Sequence, residues 1–282
     1  MPIHWTLPID GITEGLSPAH PDARVLLGAG MVTGEDLRER VYLCGPCSSA
    51  LDVAHHLASV GGLDAGDSVL VSRQWAGRGQ MRRAWISDPG ILFAEWRLHF
   101  QPEPWRNMIS VLMGWILCQG LRGLRLPLQL KWPNDLLLHG RKVGGILVEE
   151  RGEVLLAGIG LNLSSSPPEA MMRTDHVASA GTLGPPATRR SIFELWIRLV
   201  NVGRLCYIST LSDSTLLEFS HSIETVLAYL GTMVQIVDNR SSVRGLFRGL
   251  SPDGGIVLHT QDGTRTLHSG SLFPEDASEG DT

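Results

Sequence analysis

The sequence predicts an α+β protein, a mixed β-sheet with helices followed by a small β-barrel. Apolar, β-type segments at residues 68–72, 91–98, 128–132 and 146–149 alternate with helical stretches that carry their own caps. From Thr232 the pattern changes to short strands, with turns at Asp238-Asn239, Ser251-Pro252-Asp253-Gly254 and Asp262-Gly263. At 282 residues, 43% apolar and 19% charged, the chain can bury one large core and one small one. The expected division is an N-terminal extension (1–40), a main domain (41–230), a small barrel (231–275) and a tail (276–282).

Residues 1–40 carry scattered Pro and Gly, too broken for a helix-turn-helix; they are read as an extension that packs on the main domain or hangs partly loose. Residues 41–43 suit a short strand, and 49–59 a helix opened by a capping box, Ser49 with Asp52. In the strand at 91–98, Leu92, Ala94, Trp96 and Leu98 share a face. Pro104 suits the first position of a helix running to about Gln119, with Met108, Val111, Leu112, Trp115 and Ile116 as its core stripe. The turn at Arg151-Gly152 leads into a strand over 154–158, expected to end at Gly158-Ile159-Gly160-Leu161-Asn162. A long loop over 164–190 precedes two helices, one capped by Ser191 with Glu194, the other running from about 214 to 230 and stopping at Gly231. A barrel of about 45 residues is too small to stand without docking on the main domain.

A formal charge of -5 and a pI near 6.0 argue against a nucleic-acid surface. The best candidate for a membrane span, residues 108–118, is broken by Ser110 and Gly114, and no basic head with an apolar run opens the chain. Four cysteines fit a reducing compartment, so the expected location is cytoplasmic, with no membrane and no nucleic-acid partner. Cys44 and Cys47 have metal-type spacing, with His55 and His56 beyond, yet no second pair completes a structural zinc set. Cys118 and Cys206 read as small buried hydrophobes.

Two stretches carry chemistry. In Lys131-Trp132-Pro133-Asn134-Asp135, Pro133 lacks a backbone donor and breaks the strand, leaving Asn134 and Asp135 at a kink. His139-Gly140 turns the chain so that Lys142, before Gly144-Gly145, faces Lys131. Two ammonium groups so placed repel unless something anionic lies between them; an ordinary hairpin with solvated lysines would have the same spacing. In the second stretch, Gly77 and Gly79 flank Arg78, letting backbone N–H groups approach an anion, and Arg82 and Arg83 follow. The spacing fits neither a Walker loop nor a dinucleotide fingerprint, and a basic surface loop remains the alternative.

Gln74 with Gly77-Arg78-Gly79 and Trp85, then Lys131 to Asp135, Lys142 with Gly145-Ile146-Leu147, and Gly158 to Asn162 stand in the order and spacing of biotin protein ligases. The likeness resembles the monofunctional type without a DNA-binding domain, which implies a class II synthetase-like catalytic domain and an SH3-like terminal barrel. It also implies an enzyme that joins biotin to ATP, with Mg2+, as biotinyl-5′-AMP and passes the acyl group to a lysine of a biotin carrier domain in a biotin-dependent carboxylase. By this resemblance Arg78 and Lys142 hold the carboxylate and phosphate oxygens, with the N–H groups of Gly77 and Gly79 beside them. Lys131 assists or is structural, and Asp135 orients or deprotonates the incoming lysine. Asn134 and Asn162 fall to ATP or its magnesium shell rather than to direct metal ligation, and Trp85 stacks on adenine. Ser49, Gln74 and Gly158 face the ureido ring.

Ser49-Ala50-Leu51 departs from the family's Ser-Thr-Asn, removing a hydroxyl and an amide, and Gln80-Met81 replace Arg-Arg. A lost hydrogen bond to a buried ligand costs roughly 1–3 kcal/mol, one or two decades of biotin affinity. Two alternatives stay open: a lipoate or octanoate ligase, should Ala50-Leu51 form an apolar slot, and a non-catalytic biotin or adenylate sensor. A homodimer is also left open.

Overall fold

The structure is a computed structural model and describes residues 25–27, 40–80, 85, 88–101, 103, 105–168, 178–189, 191–238 and 241–275. Most of the extension, the tail at 276–282, Met81, Arg82, Arg83, Pro104 and Asn239 lie outside the described residues.

The main sheet has eight strands: β1 (Val25–Leu27), β2 (Val41–Cys44), β3 (Ser68–Val71), β4 (Ile91–Leu98), β5 (Gln129–Lys131), β6 (Asp135–Leu138), β7 (Arg141–Arg151) and β8 (Val154–Asn162). Their order is β1-β2-β3-β4-β8-β7-β6-β5, with β2 and β3 parallel and every other neighbouring pair antiparallel. The parallel pair is possible because helix α1 (Ala50–Ser59) forms the crossover between them. Within the extension, β1 adds to the outer edge of β2.

Both faces of the sheet are covered. On one face α2 (Trp105–Arg122) and α4 (Ile192–Asp213) pack over Leu92, Ala94, Trp96 and Leu98; on the other, α1 covers Ile91 and Phe93. Trp196 of α4 meets Trp96 edge to face at 6.4 Å and donates its indole N–H to Ser68 Oγ at 2.9 Å. Along α2, Met108, Val111, Leu112 and Ile116 are buried and Trp115 packs against the same core. Each fully buried aliphatic chain of this kind contributes about 1.5–3 kcal/mol.

Several expected boundaries move. Helix α4 has the capping box of Ser191 with Glu194, but Ser49 makes no side-chain cap on α1, and the Asp52 carboxylate forms an ion pair with Arg78. Strand β8, expected to end from Gly158 onward, continues through to Asn162, its glycines paired with β4 and β7. The long loop contains one helical turn, α3 (Pro185–Thr188). The last helix, α5 (Leu216–Ile223), capped by Thr215 and Glu218, gives way to a 3-10 turn at Glu224–Val226, and Tyr229 takes a positive φ of 64° before Gly231.

The C-terminal unit comprises β9 (Met233–Val237), β10 (Ser242–Leu250), β11 (Ile256–Thr260), β12 (Gly263–Leu267) and β13 (Ser271–Pro274). These pair in the order β12-β11-β10-β9-β13, an antiparallel sheet whose end strands are not joined among the described residues; closure into a barrel is not seen. It docks as the small size requires: Val234, Phe247, Ile256, Leu258 and Leu272 belong to the same buried cluster as α2 and β5. Trp132 donates its indole N–H to the Gly254 carbonyl at 3.0 Å, and Ala228 N–H bonds Leu130 O at 2.9 Å. Among the described residues no helix is long and apolar enough to cross a membrane.

Candidate functional site

Pro133 ends β5 as its missing donor requires, and His139 and Gly140, at φ 51° and 75°, make the tight turn that brings β7 back beside β6. Lys131 closes β5, Asp135 opens β6 in register with it, and Lys142 lies near the start of β7. The anion between the two lysines is the Asp135 carboxylate. Its Oδ1 pairs with Lys142 Nζ, and its Oδ2 lies 3.7 Å from Lys131 Nζ. Lys131 is 6% exposed, so this is a dry corner in which charge interactions exceed those at the surface.

Of the twelve residues singled out from the sequence, eleven line one cavity of about 260 Å³; Gly77 does not. Gly77 instead ties the loop down, its carbonyl accepting the Trp85 N–H at 2.9 Å. A Cβ at Gly77 would come within 2.8 Å of the Trp85 carbonyl, so the sequence needs glycine there for close backbone approach. The Trp85 ring lies across β7 and β8 where both lack side chains: a Cβ at Gly160 would sit 2.7 Å from Cζ2, and one at Gly145 2.9 Å from Cη2. Lys142 Nζ stands 5.5 Å from the centre of that ring. Arg78 lines the same cavity, its guanidinium 2.7 Å from Asp52 Oδ2.

The amides are largely engaged. Gln74 Oε1 accepts the Ala50 N–H at 2.7 Å, fastening the loop to the start of α1. Asn134 Nδ2 donates to Ile146 O at 2.7 Å, fixing the kink against β7. Asn162 Nδ2 donates to Gly181 O at 3.0 Å, while its Oδ1 is buried with no partner among the described residues. Ser49, 2% exposed and free of capping duty, faces the cavity beside Gly158.

Sequence reasoning missed two contributions. Glu95, buried on the same face of β4 as Ile91 and Phe93, lines the cavity; burial, with the negative charges of Glu149 and Asp52, raises its pKa well above the usual carboxylate range. The signal was an acidic residue set between Ala94 and Trp96 in a mostly apolar strand. The segment at Gly270, Ser271, Leu272 and Phe273 also forms wall, with the Phe273 ring 5.9 Å from Lys131 Nζ. No local pattern marks it, since only docking brings the C-terminal sheet there. Cys44 and Cys47 are buried beside each other, and their contact together with burial pushes the Cys47 thiol up; among the described residues no cluster of three metal-ligating side chains occurs.

Residues 49–165 match the model of the biotin/lipoate A/B protein ligase family, and residues 229–273 that of the biotin protein ligase C terminal domain. The chain is similar to the bifunctional ligase/repressor BirA of Escherichia coli, 27% identical over 216 residues that cover 73% of this chain and 65% of that protein. It thus spans just under two thirds of that relative's length. It is also similar to the biotin--[acetyl-CoA-carboxylase] ligase of Paracoccus denitrificans, 26% identical over 232 residues that cover 75% of this chain and 92% of that protein. Among solved structures it resembles the biotin protein ligase from Aquifex aeolicus in complex with biotin and ATP. That likeness has a TM-score of 0.63 at 26% identity, covering 76% of this chain and 91% of that one.

Proposed function

From the premise that the chain belongs to the biotin/lipoate A/B protein ligase family, we propose that it is an ATP-dependent biotin protein ligase acting in the cytoplasm. It activates biotin as biotinyl-5′-AMP and transfers it to a lysine on the biotin carrier domain of a carboxylase. The observation that carries this reading is the convergence of Arg78, Lys131 and Lys142 on one half-enclosed cavity with a glycine floor. Activation drives a carboxylate against the α-phosphate, and two anions meet only where fixed cations screen them in a dry site.

Lys142 and Arg78 are the cations at the reacting oxygens. Asp135 and Asp52 hold their ammonium and guanidinium groups in place before the substrates arrive. Gly79 lines the wall beside Arg78 with its bare backbone. Trp85, held flat by Gly145 and Gly160, offers adenine a stacking surface, and Asn134 and Asn162 stand where magnesium-bound ATP would lie. In the second step Asp135 accepts the proton of the incoming lysine ammonium, whose neutral amine then attacks the acyl carbon and displaces AMP.

The lipoate alternative needs an apolar slot from Ala50 and Leu51. Leu51 instead belongs to the buried cluster beneath α1 and is not part of the cavity wall, and the wall near Ala50 carries Ser49, Gln74 and Glu95. A biotin carrier domain incubated with the full chain, Mg-ATP and biotin should gain one biotinyl group (the mass of biotin less that of water), and with lipoate in place of biotin it should gain nothing. A lipoyl shift without a biotinyl one overturns the assignment, and no shift with either favours a sensor.

A further inference from the structure

Glu95 is a costly residue at its position. It is 6% exposed, its Oε2 has no hydrogen-bond partner among the described residues, and the charges it feels, Glu149 and Asp52, are of its own sign. A buried acid without a partner destabilises a fold unless something else satisfies it. Its neighbour across the ladder is Gly158, in register on β8, where a Cβ would come within 2.7 Å of Glu95 Oε1. The glycine thus leaves the space that the carboxyl occupies, and both residues line the cavity that Ser49 and Gln74 also line. Burial and the acidic neighbours raise the Glu95 pKa well above the usual carboxylate range, favouring the un-ionised carboxyl, which carries one donor and one acceptor side by side.

We propose that Glu95 is a specificity-determining residue for the acyl substrate, its carboxyl pairing edge to edge with the ureido ring of biotin. This rests on the biotin ligase reading and deepens it. A five-membered cyclic urea holds an N–H and its C=O on the same side. The carboxyl O–H donates to the ureido oxygen while its carbonyl oxygen accepts the ring N–H, closing a planar pair of hydrogen bonds. No proton is transferred and no bond is broken. Ser49 and Gln74 line the same cavity. An acyl chain that ends in an apolar ring or methyl group would leave Glu95 buried and unmatched, so the same residue rejects lipoate and octanoate.

The test uses the full chain as wild type, Glu95→Gln and Glu95→Leu. Isothermal titration measures biotin, its cyclic guanidinium analogue 2-iminobiotin, and Mg-ATP as a control for an intact site. Glu95→Gln keeps a donor and an acceptor in place and should hold biotin within about threefold of wild type. Glu95→Leu should lose roughly 5- to 150-fold in biotin affinity with Mg-ATP binding unchanged. Wild type can ionise against a guanidinium and Glu95→Gln cannot, so the preference for 2-iminobiotin relative to biotin should fall about tenfold or more in Glu95→Gln. That ratio also decides the matter should Glu95→Leu fail to fold. An equal ratio in wild type and Glu95→Gln, or wild-type biotin affinity in Glu95→Leu, overturns the role of Glu95 while the ligase reading stands. A wild-type chain that neither binds biotin nor modifies a carrier domain removes the ligase reading itself.

Discussion

Replacing Lys142 with methionine tests the electrostatic core of the site while keeping the side-chain stem. In the folded protein Lys142 Nζ pairs with Asp135 and stands 5.5 Å from the Trp85 ring, and the side chain is one quarter exposed. Removing the ammonium does not orphan Asp135, whose other oxygen keeps Lys131 at 3.7 Å. The fold should therefore lose no more than about 1 kcal/mol. The reaction should suffer far more. A unit charge ~4 Å from the phosphate oxygens, at an effective dielectric near 20, is worth about 4 kcal/mol. At about 1.4 kcal/mol per decade, Lys142→Met should slow adenylate formation by about 10³. Biotin-dependent exchange of pyrophosphate into ATP reads that step, and a urea melt checks the fold. Exchange within about threefold of wild type in a folded variant would refute the placement of Lys142 at the reacting oxygens.

Arg78→Ala breaks an ion pair with Asp52 whose partners are 40% and 22% exposed, so stability should fall by less than about 1 kcal/mol. The adenylate should leak, raising AMP released per carrier domain modified; an unchanged ratio removes the loop's retaining role. Gly160→Ala sets a Cβ 2.7 Å from the Trp85 ring. The ring must move, at a cost of roughly 1–3 kcal/mol in stability, and with it the adenine platform. The KM for ATP should rise about tenfold, and an unaltered KM would detach Trp85 from adenine. Glu95→Gln should change the pH dependence of folding. The raised pKa means that the folded chain binds more protons than the unfolded one between the ordinary carboxylate value and the folded value, so wild-type stability falls as pH rises through that window. The variant should gain on wild type by about 1.4 kcal/mol per pH unit across it and converge with it below about pH 4, where both side chains are neutral. Parallel urea-unfolding curves from pH 4 to pH 8 would show that Glu95 is ionised in the fold.

What the sequence revealed and what it concealed divide along physical lines. The hairpin from Lys131 to Lys142 was legible because proline, a tight turn and paired lysines act within about a dozen residues of one another. Gly77, Gly145 and Gly160 were legible as glycines, but not their shared reason, which is the Trp85 backbone or ring lying against each. The capping box at Ser49 does not form: Ser49 lines the cavity, and the Asp52 carboxylate pairs with the Arg78 guanidinium 26 residues away. No local pattern announces a distant cation. Gly158 to Asn162 was expected at the end of a strand; the strand instead runs through it, and its glycines clear room for Glu95 and Trp85 on the ladder itself.

The cavity is polarised along its length, and the polarity fixes how a ligand enters. Near the corner of β5, β6 and β7 stand Lys131 and Lys142; by the start of α1 stand Ser49, Gln74 and Glu95, with Glu149 acting on the last and Asp52 paired to Arg78. The glycine backbones at 145, 158 and 160 run between them as a floor without side chains. A ligand with a neutral polar head and an anionic tail fits one way only. Reversed, its carboxylate would meet the buried Glu95 carboxyl, and Lys131 and Lys142 would face a group with no charge to screen. An apolar head of equal length would keep its tail at the cations and still leave Glu95 unmatched. Direction is therefore set at the cationic end and identity at the acidic end, so Lys142→Met should weaken every acyl substrate alike, whereas Glu95→Leu should narrow the preference for biotin over lipoate.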